Sequence, residues 1–221
     1  MINIESYISH LTTLLKEQFG SRLCYVGLQG SYLRGEATSE SDIDIMVVID
    51  GLGVDDLGTY RDIIRSMDYY DKSCGFICSK EDLANWNPLE ICNLIGSTHD
   101  HYGVLQDLVT AYTTEDVRNF VKLSVNNMYH EICHRYIHAE SNKNLAALSA
   151  TYKGVFFILQ NLYYLTHGRF VKTKAEMAET AEGLNRDVLV RSMELSRGVA
   201  HDFDESFELI FKWGREAMKA V

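Results

Sequence analysis

Residues 30–49 of the chain read GSYLRGEATSESDIDIMVVI, and this stretch decides the fold of the first half. It starts with Gly30-Ser31, directly after the apolar run from Leu23 to Leu28. It ends in a longer apolar run, Ile43 to Ile49. Two such runs, separated by small and polar residues, predict two strands with a connecting loop. Because the second run is apolar on both faces for most of its length, we expect it at the centre of a sheet.

Two carboxylates, Asp42 and Asp44, stand where the second strand begins. Residues two apart on a strand point to the same face, so both carboxylates project together while Ile43 points to the other face. Two acids so placed repel each other unless a cation lies between them. Mg²⁺ suits such a place, since it binds through one or two carboxylates together with substrate phosphates. The alternative interpretation is a pair of solvated charges at the end of a strand.

Gly30-Ser31 predicts a turn that opens the polar loop over residues 31–41. A glycine allows the backbone to approach an anionic ligand closely. The amides that follow, and the Ser31 hydroxyl, could then donate to phosphate oxygens. Gly-Ser alone is a common turn pair, so the pair is informative only together with the acids that follow it.

Taken whole, this segment resembles the nucleotidyltransferase superfamily, which includes DNA polymerase β-like, minimal and aminoglycoside nucleotidyltransferases. Their pattern is G-S, a loop often containing R-G-x-A, and then S-D-x-D followed by apolar residues. The matching positions here are Gly30, Ser31, Arg34, Gly35, Ala37, Ser41, Asp42 and Asp44.

The resemblance implies a role for each matching position. Gly30 and Ser31 would hold the terminal phosphates of a nucleoside triphosphate, with Arg34 and Ser41 also in the nucleotide site. Asp42 and Asp44 would be catalytic and would hold Mg²⁺, with two ions expected. The reaction would be in-line attack of an acceptor oxygen on the α-phosphorus, with pyrophosphate as the leaving group.

Family members usually carry a third carboxylate on a later strand of the same sheet. The next predicted strand here runs from Cys74 to Cys78, and Cys74 or a neighbour stands where that acid is expected. Three interpretations stay open. Asp71, which we assign as the third catalytic residue, supplies the third carboxylate if this strand starts before Cys74. An acid from elsewhere, such as Glu131, reaches the site. Or the site binds nucleotide and catalyses poorly.

From residue 114 onward apolar residues recur every three or four positions, which predicts helices throughout. The predicted helices of this half cover residues 115–139, 145–166, 173–181, 186–197 and 204–219. Residues 156–179 resemble the C-terminal domain of aminoglycoside-type nucleotidyltransferases, in which a lysine enters a helix after a T-x-G-R-x-V turn. That resemblance implies that Lys174 contacts the triphosphate. The alternative is that Lys174 is a solvated surface charge.

The expected fold class is α+β, with an α/β nucleotidyltransferase domain over residues 1–112 that contains a short mixed sheet. An all-α bundle over residues 113–221 would bind the acceptor. In the first domain we also expect helices at 4–18, 59–69 and 80–86.

The amino-acid composition narrows the classes of molecule that the protein is expected to bind. Thirty-one acidic residues against 21 basic ones give a net charge of −10, which disfavours a nucleic-acid substrate and permits a cationic acceptor. No apolar run approaches the roughly 20 residues of a membrane helix, so we expect no membrane partner. The first helix does not resemble a signal peptide, and we expect a cytoplasmic protein. The five cysteines are expected to be reduced thiols, with Cys74 and Cys78 buried.

The sequence therefore favours an enzyme that transfers a nucleoside monophosphate to a hydroxyl of a small molecule. The expected nucleotide is AMP, taken from ATP. An aminoglycoside-like antibiotic is an example of the expected acceptor. A monomer or homodimer is expected. Two alternatives remain: a nucleotide-binding regulatory or antitoxin-like module with weak or lost catalysis, and an enzyme that nucleotidylates proteins.

Overall fold

The computed structural model describes residues 2–139 and 141–221, without the side chains of residues 141–145. It divides the chain into two compact units, Met1–Ala111 and Tyr112–Val221. The division falls one residue before the boundary expected from the sequence.

The N-terminal unit alternates helices and strands. The strands are β1 (Leu23–Leu28), β2 (Ile43–Ile49), β3 (Ser73–Ser79) and β4 (His99–Tyr102). The helices are α1 (Ile4–Phe19), α2 (Gly30–Leu33), α3 (Val54–Ser66), α4 (Lys80–Ala84) and α5 (Pro88–Gly96). The first two strands have the bounds predicted from the sequence.

Within the described residues the strands form a mixed sheet in the order β3-β2-β1-β4. β2 and β3 are parallel, whereas β1 is antiparallel to both β2 and β4. The apolar β2 is therefore an inner strand, as its sequence predicts. The start of β2, the start of β3 and the end of β1 meet at one end of the sheet, and Asp42 and Asp44 lie there.

The two faces of the sheet bury different cores. Ile43, Ile45 and Val47 of β2 pack on one face with apolar residues of α1 and α3. Met46 and Val48 pack on the other face with a smaller cluster that includes residues of α4. Asp44 alternates with Ile43 and Ile45 and therefore belongs to the face with the smaller core.

The C-terminal unit is helical. Its helices are α6 (Thr114–His138), α7 (Ser141–His167), α8 (Lys174–Thr180), α9 (Gly183–Ser196) and α10 (Phe203–Lys219). Its core includes the fully buried Tyr152 and Trp213. The Tyr152 hydroxyl donates to the Ser206 carbonyl at 2.7 Å, and the Trp213 indole N–H donates to Asn185 Oδ1 at 2.8 Å. These bonds connect α7 and α9 to α10. A mixed-sheet unit and a helical unit confirm the predicted α+β class.

Several local predictions were inaccurate. Residues 31–41 do not form a continuous loop, because Gly30–Leu33 makes one helical turn. The helix expected at 59–69 starts earlier, at Val54, where Asp56 accepts from the Gly53 amide at 2.9 Å. α5 and β4 were not predicted. Cys78 is buried as expected, whereas Cys74 is exposed.

Candidate functional site

Asp42 and Asp44 lie together at the start of β2, as the sequence predicts. Asp44 is half-buried and Asp42 is exposed. Burial, followed by the negative charge of Asp42, raises the pKa of Asp44 above its usual value. A hydrogen bond with Cys74 and the charge of Arg34 oppose that rise. The site therefore contains a carboxylate whose charge is poorly compensated, which a bound cation would relieve.

Gly30 packs directly against the Asp44 carboxylate. A β-carbon at Gly30 would lie 1.9 Å from Asp44 Oδ2 and 2.7 Å from its Cγ, far inside van der Waals contact. Gly30 also has φ +69°, a conformation that L side chains rarely adopt. Beside it, the Gln29 amide donates to the Asp44 carbonyl at 2.8 Å. A side chain at position 30 would displace Asp44, which explains why glycine precedes the acids at this spacing.

Internal hydrogen bonds organise the segment between Gly30 and Asp42. Arg34 donates from Nε to Glu36 Oε2 at 2.9 Å, and the Arg34 side chain is only 14% exposed. Ser41 Oγ accepts from the Thr38 amide at 2.9 Å. The sequence assigned Arg34 and Ser41 to the nucleotide. In the structure both side chains also stabilise the segment that surrounds the acids.

Cys74 stands next to Asp44 on the neighbouring strand. The parallel register of β2 and β3 pairs Asp44 with Cys74. Partners in register point to the same face, and the two side chains are hydrogen bonded. Although Cys74 is exposed as a residue, partial burial of its thiol and then the charge of Asp44 raise the pKa of that thiol, so the protonated form is favoured. The place at which the sequence analysis sought a third acid is thus occupied by a thiol.

Asp71 lies elsewhere in the unit. It belongs to a short helical turn, Tyr70–Lys72, before β3. It lines a cavity of about 570 Å³ with residues of α3 and with residues from both faces of β3, Cys74 among them. In the part of the chain that the structure describes, Asp71 does not join Asp42 and Asp44 in a group of three side chains arranged to hold a metal ion. Its catalytic role stays a prediction.

Two charged residues on this side of the unit were missed from the sequence. Lys72 donates from its ammonium to the Ser39 carbonyl, which places a cation beside the loop that precedes Asp42. Asp100 pairs with Gly27 across the sheet and accepts a 2.6 Å hydrogen bond from the Tyr25 hydroxyl. Asp100 belongs to the His99-Asp100-His101-Tyr102 run, which contains no aliphatic residue and so gave no strand signal in the sequence.

Two predicted site residues belong to the helical unit. Lys174 is the first residue of α8, whose N-cap residue Thr173 accepts from the Glu176 amide at 3.1 Å. Glu131 is on α6 and pairs with Arg135 at 2.9 Å. Their roles at a nucleotide site stay predictions.

The residues at the start of β2 fit a magnesium ion that arrives with a nucleotide. They offer two carboxylates on one face, the number that Mg²⁺ commonly takes from protein when phosphates supply further ligands. In the described part of the chain, no group of three or more histidine, cysteine, aspartate or glutamate side chains is arranged to hold a metal ion. A cage made entirely of protein ligands is therefore not present in those residues.

Comparisons with known proteins agree with this geometry. A family model described as nucleotidyltransferase domain matches residues 11–78, which include Gly30, Asp42, Asp44 and Cys74. A protein of Methanocaldococcus jannaschii named "Putative protein adenylyltransferase" is 43% identical over 49 residues, which are 22% of this chain. Those residues span about half (49%) of that relative.

A solved structure resembles nearly the whole chain. The crystal structure of a spectinomycin adenyltransferase from Enterococcus faecialis, with ATP and spectinomycin, superposes with a TM-score of 0.59 at 14% sequence identity. The likeness covers 98% of this chain and 100% of that chain. At this identity it shows a shared fold.

The fold and the G-S…S-D-x-D segment define a nucleotidyltransferase domain in the first half of the chain. Within it, residues 11–78 match the nucleotidyltransferase domain model, and the archaeal relative is named as an adenylyltransferase. Among the described residues, no helix has the length and apolar character needed to cross a membrane.

Proposed function

We propose that this protein transfers an adenylyl group from ATP to a hydroxyl of a small-molecule acceptor. One observation carries the proposal. Gly30 leaves room for Asp44 at the start of an inner strand, and Asp42 and Asp44 share one face beside the turn of Gly30 and Ser31. This is the arrangement of phosphate-approaching backbone and paired carboxylates that nucleotidyl transfer needs.

In the proposed reaction an acceptor oxygen forms a bond to the α-phosphorus of ATP. The bond from that phosphorus to the bridging oxygen breaks, and pyrophosphate leaves with its electron pair. The acceptor hydroxyl gives its proton to solvent water. A Mg²⁺ ion held by Asp42 and Asp44 would supply positive charge to the phosphates.

The chain's own residues bind and orient the triphosphate. Gly30 allows close backbone approach, and the Ser31 amide and hydroxyl are donors for phosphate oxygens. Arg34, fixed by Glu36, contributes a positive charge near Asp44. The contribution of these groups is positioning and charge neutralisation. Lys174 is proposed as a further phosphate contact from the helical unit.

The nature of the acceptor is supported by the helical unit and by charge. The structural relative, whose structure contains spectinomycin, shares the fold over 98% of this chain, helical unit included. A net charge of −10 favours an acceptor that carries amino groups. We therefore propose a hydroxyl-bearing small molecule with cationic groups.

Protein nucleotidylation is the second candidate, because the archaeal relative, 43% identical over 49 residues, has a name that describes that activity. The regulatory alternative is favoured by Cys74 at the expected position of the third acid.

One experiment separates these candidates. The purified protein is incubated with α-labelled ATP and Mg²⁺, alone, with a panel of aminocyclitols, aminoglycosides and lincosamides, or with cell extract. The Asp42→Asn/Asp44→Asn variant is the control. Pyrophosphate release that depends on a small molecule and is lost in the control supports the proposal. Label in protein bands supports the second candidate. ATP binding without transfer to any acceptor contradicts both.

A further inference from the structure

We infer that the nucleotide site of this chain is built for a single divalent ion, which arrives with the triphosphate, and that Cys74 occupies the position at which a carboxylate would complete a second ion site. The inference rests on the proposed nucleotide site and goes beyond it. It concerns the number of ions at the site and the residue that sets this number.

The ligand supply is the first argument. Two ions about 3.5–4 Å apart share carboxylate ligands, and each Mg²⁺ demands near-octahedral oxygen coordination. Asp42 and Asp44 are the carboxylates on the site face at the start of β2. The residue in register with Asp44 on the adjacent parallel strand is Cys74. Its sulfur suits soft metals and is a poor ligand for Mg²⁺.

The nearby acids do not replace the missing carboxylate. Asp71 lines a cavity beside β3 that Cys74 also lines, but among the described residues it forms no group of three with Asp42 and Asp44 that is arranged to hold a metal ion. Asp100 is on β4, which is separated from β2 by β1. Two strand spacings amount to about 9–10 Å. The Tyr25 hydroxyl also occupies one of its oxygens at 2.6 Å. Neither acid is placed to share an ion with Asp44.

The charge distribution is the second argument. Arg34 already acts on the Asp44 carboxylate as a positive charge. Two carboxylates with this cation nearby attract one divalent ion that is accompanied by phosphates, and they disfavour a second ion held by protein ligands.

The test counts ions with Mn²⁺ as the probe and α,β-methylene-ATP as a nucleotide that cannot react. Equilibrium dialysis gives bound Mn²⁺ per bound nucleotide, and electron paramagnetic resonance detects pairs of coupled Mn²⁺ ions. The variants are Cys74→Asp and Cys74→Glu, with Cys74→Ser as the matched control of similar size. Circular dichroism checks that each variant is folded.

We expect one Mn²⁺ per bound nucleotide in the wild type and in Cys74→Ser, with no coupled-pair signal. A second ion and a coupled pair are expected in Cys74→Asp or Cys74→Glu. Two ions in the wild type would overturn the inference. A single ion in both folded acidic variants would overturn the assignment of position 74. If the acidic variants do not fold, the counts for the wild type and Cys74→Ser still decide the number of ions. A wild type that binds no nucleotide would instead refute the proposed nucleotide site.

Discussion

Gly30 and Asp44 are in such close contact that residue 30 cannot carry a β-carbon unless the Asp44 side chain moves. The Asp44 carboxylate fills the space where a β-carbon of residue 30 would be, with 1.9 Å between that carbon and Asp44 Oδ2. The glycine that begins the phosphate turn therefore also fixes the position of an acidic side chain 14 residues later. This contact gives a physical reason for the spacing of the G-S and S-D-x-D elements.

Gly30→Ala should weaken nucleotide binding by displacing Asp44. Gly35→Ala is a matched control, because Gly35 has a similar φ of +67° and nothing within 4 Å of its β-carbon position. Both variants bear a backbone cost of about 1–2 kcal/mol. Isothermal titration with Mg²⁺ and α,β-methylene-ATP should show an affinity loss above about tenfold, or 1.4 kcal/mol, for Gly30→Ala alone. Equal losses in both variants would show that backbone strain, and not the contact with Asp44, limits binding.

The sequence predicted the centre of the N-terminal unit well and its periphery less well. β1 and β2 have their predicted bounds because each is a run of apolar residues between clear turn signals. The edge strand β4 was missed because His99-Asp100-His101-Tyr102 contains no aliphatic residue, and its strand conformation depends on pairing with β1. Such pairing is a tertiary effect that local propensity does not encode.

Asp44 should reduce the stability of the metal-free protein at neutral pH. Its pKa is raised by burial and by Asp42, so the folded state binds the proton more tightly than the unfolded state. The free energy of unfolding therefore falls as pH rises from below the usual pKa of an aspartate through the raised pKa of Asp44. We expect Asp44→Asn to unfold at a higher temperature than the wild type at pH 7 in EDTA. The difference in melting temperature should vanish in acid, at a pH below the usual pKa of an aspartate.

Two controls accompany this measurement. Mg²⁺ with nucleotide should raise the melting temperature of the wild type but not that of Asp44→Asn. Asp82→Asn should act in the opposite direction. The pKa of Asp82 is lowered by hydrogen bonds from Ser79. The Asp82 carboxylate therefore stabilises the folded state at a pH above the usual pKa of an aspartate, and this stabilisation is lost as pH falls through the lowered pKa. An Asp44→Asn protein less stable than the wild type at pH 7 would contradict the unfavourable charge.

Tyr25→Phe should destabilise the N-terminal unit without a change in the number of nucleotides bound. Tyr25 is fully buried, and its hydroxyl donates to Asp100 at 2.6 Å. Loss of a hydrogen bond to a carboxylate is expected to cost about 1.5 kcal/mol. Urea unfolding followed by circular dichroism measures the loss. Tyr70→Phe, at a side chain that is 57% exposed, is the control and should stay within about 0.5 kcal/mol of the wild type.

The candidate site was predicted in part. Strand alternation predicted the shared face of Asp42 and Asp44, and the resemblance to nucleotidyltransferases added Gly30, while the roles of all three stay predictions. Pattern could not place Asp71, since a helical turn before β3 breaks the alternation that a strand would have continued. The position of Cys74 beside Asp44 depends on the parallel register of β2 and β3, and 23 residues lie between the end of β2 at Ile49 and the start of β3 at Ser73. Register across such a connection is a property of the folded sheet.

In the helical unit, Tyr152→Phe should be the most informative conservative change. Tyr152 is fully buried, donates to the Ser206 carbonyl at 2.7 Å, and accepts at its own carbonyl from the Ser192 hydroxyl at 2.8 Å. When the Tyr152 hydroxyl is removed, the Ser206 carbonyl loses a hydrogen-bond partner in the interior. The free energy of unfolding should fall by about 1–3 kcal/mol. Tyr136→Phe, at a side chain that is 50% exposed, is the control. Chemical unfolding of the two variants should separate them by at least about 1 kcal/mol, and equal stabilities would show that the bond between α7 and α10 contributes nothing net.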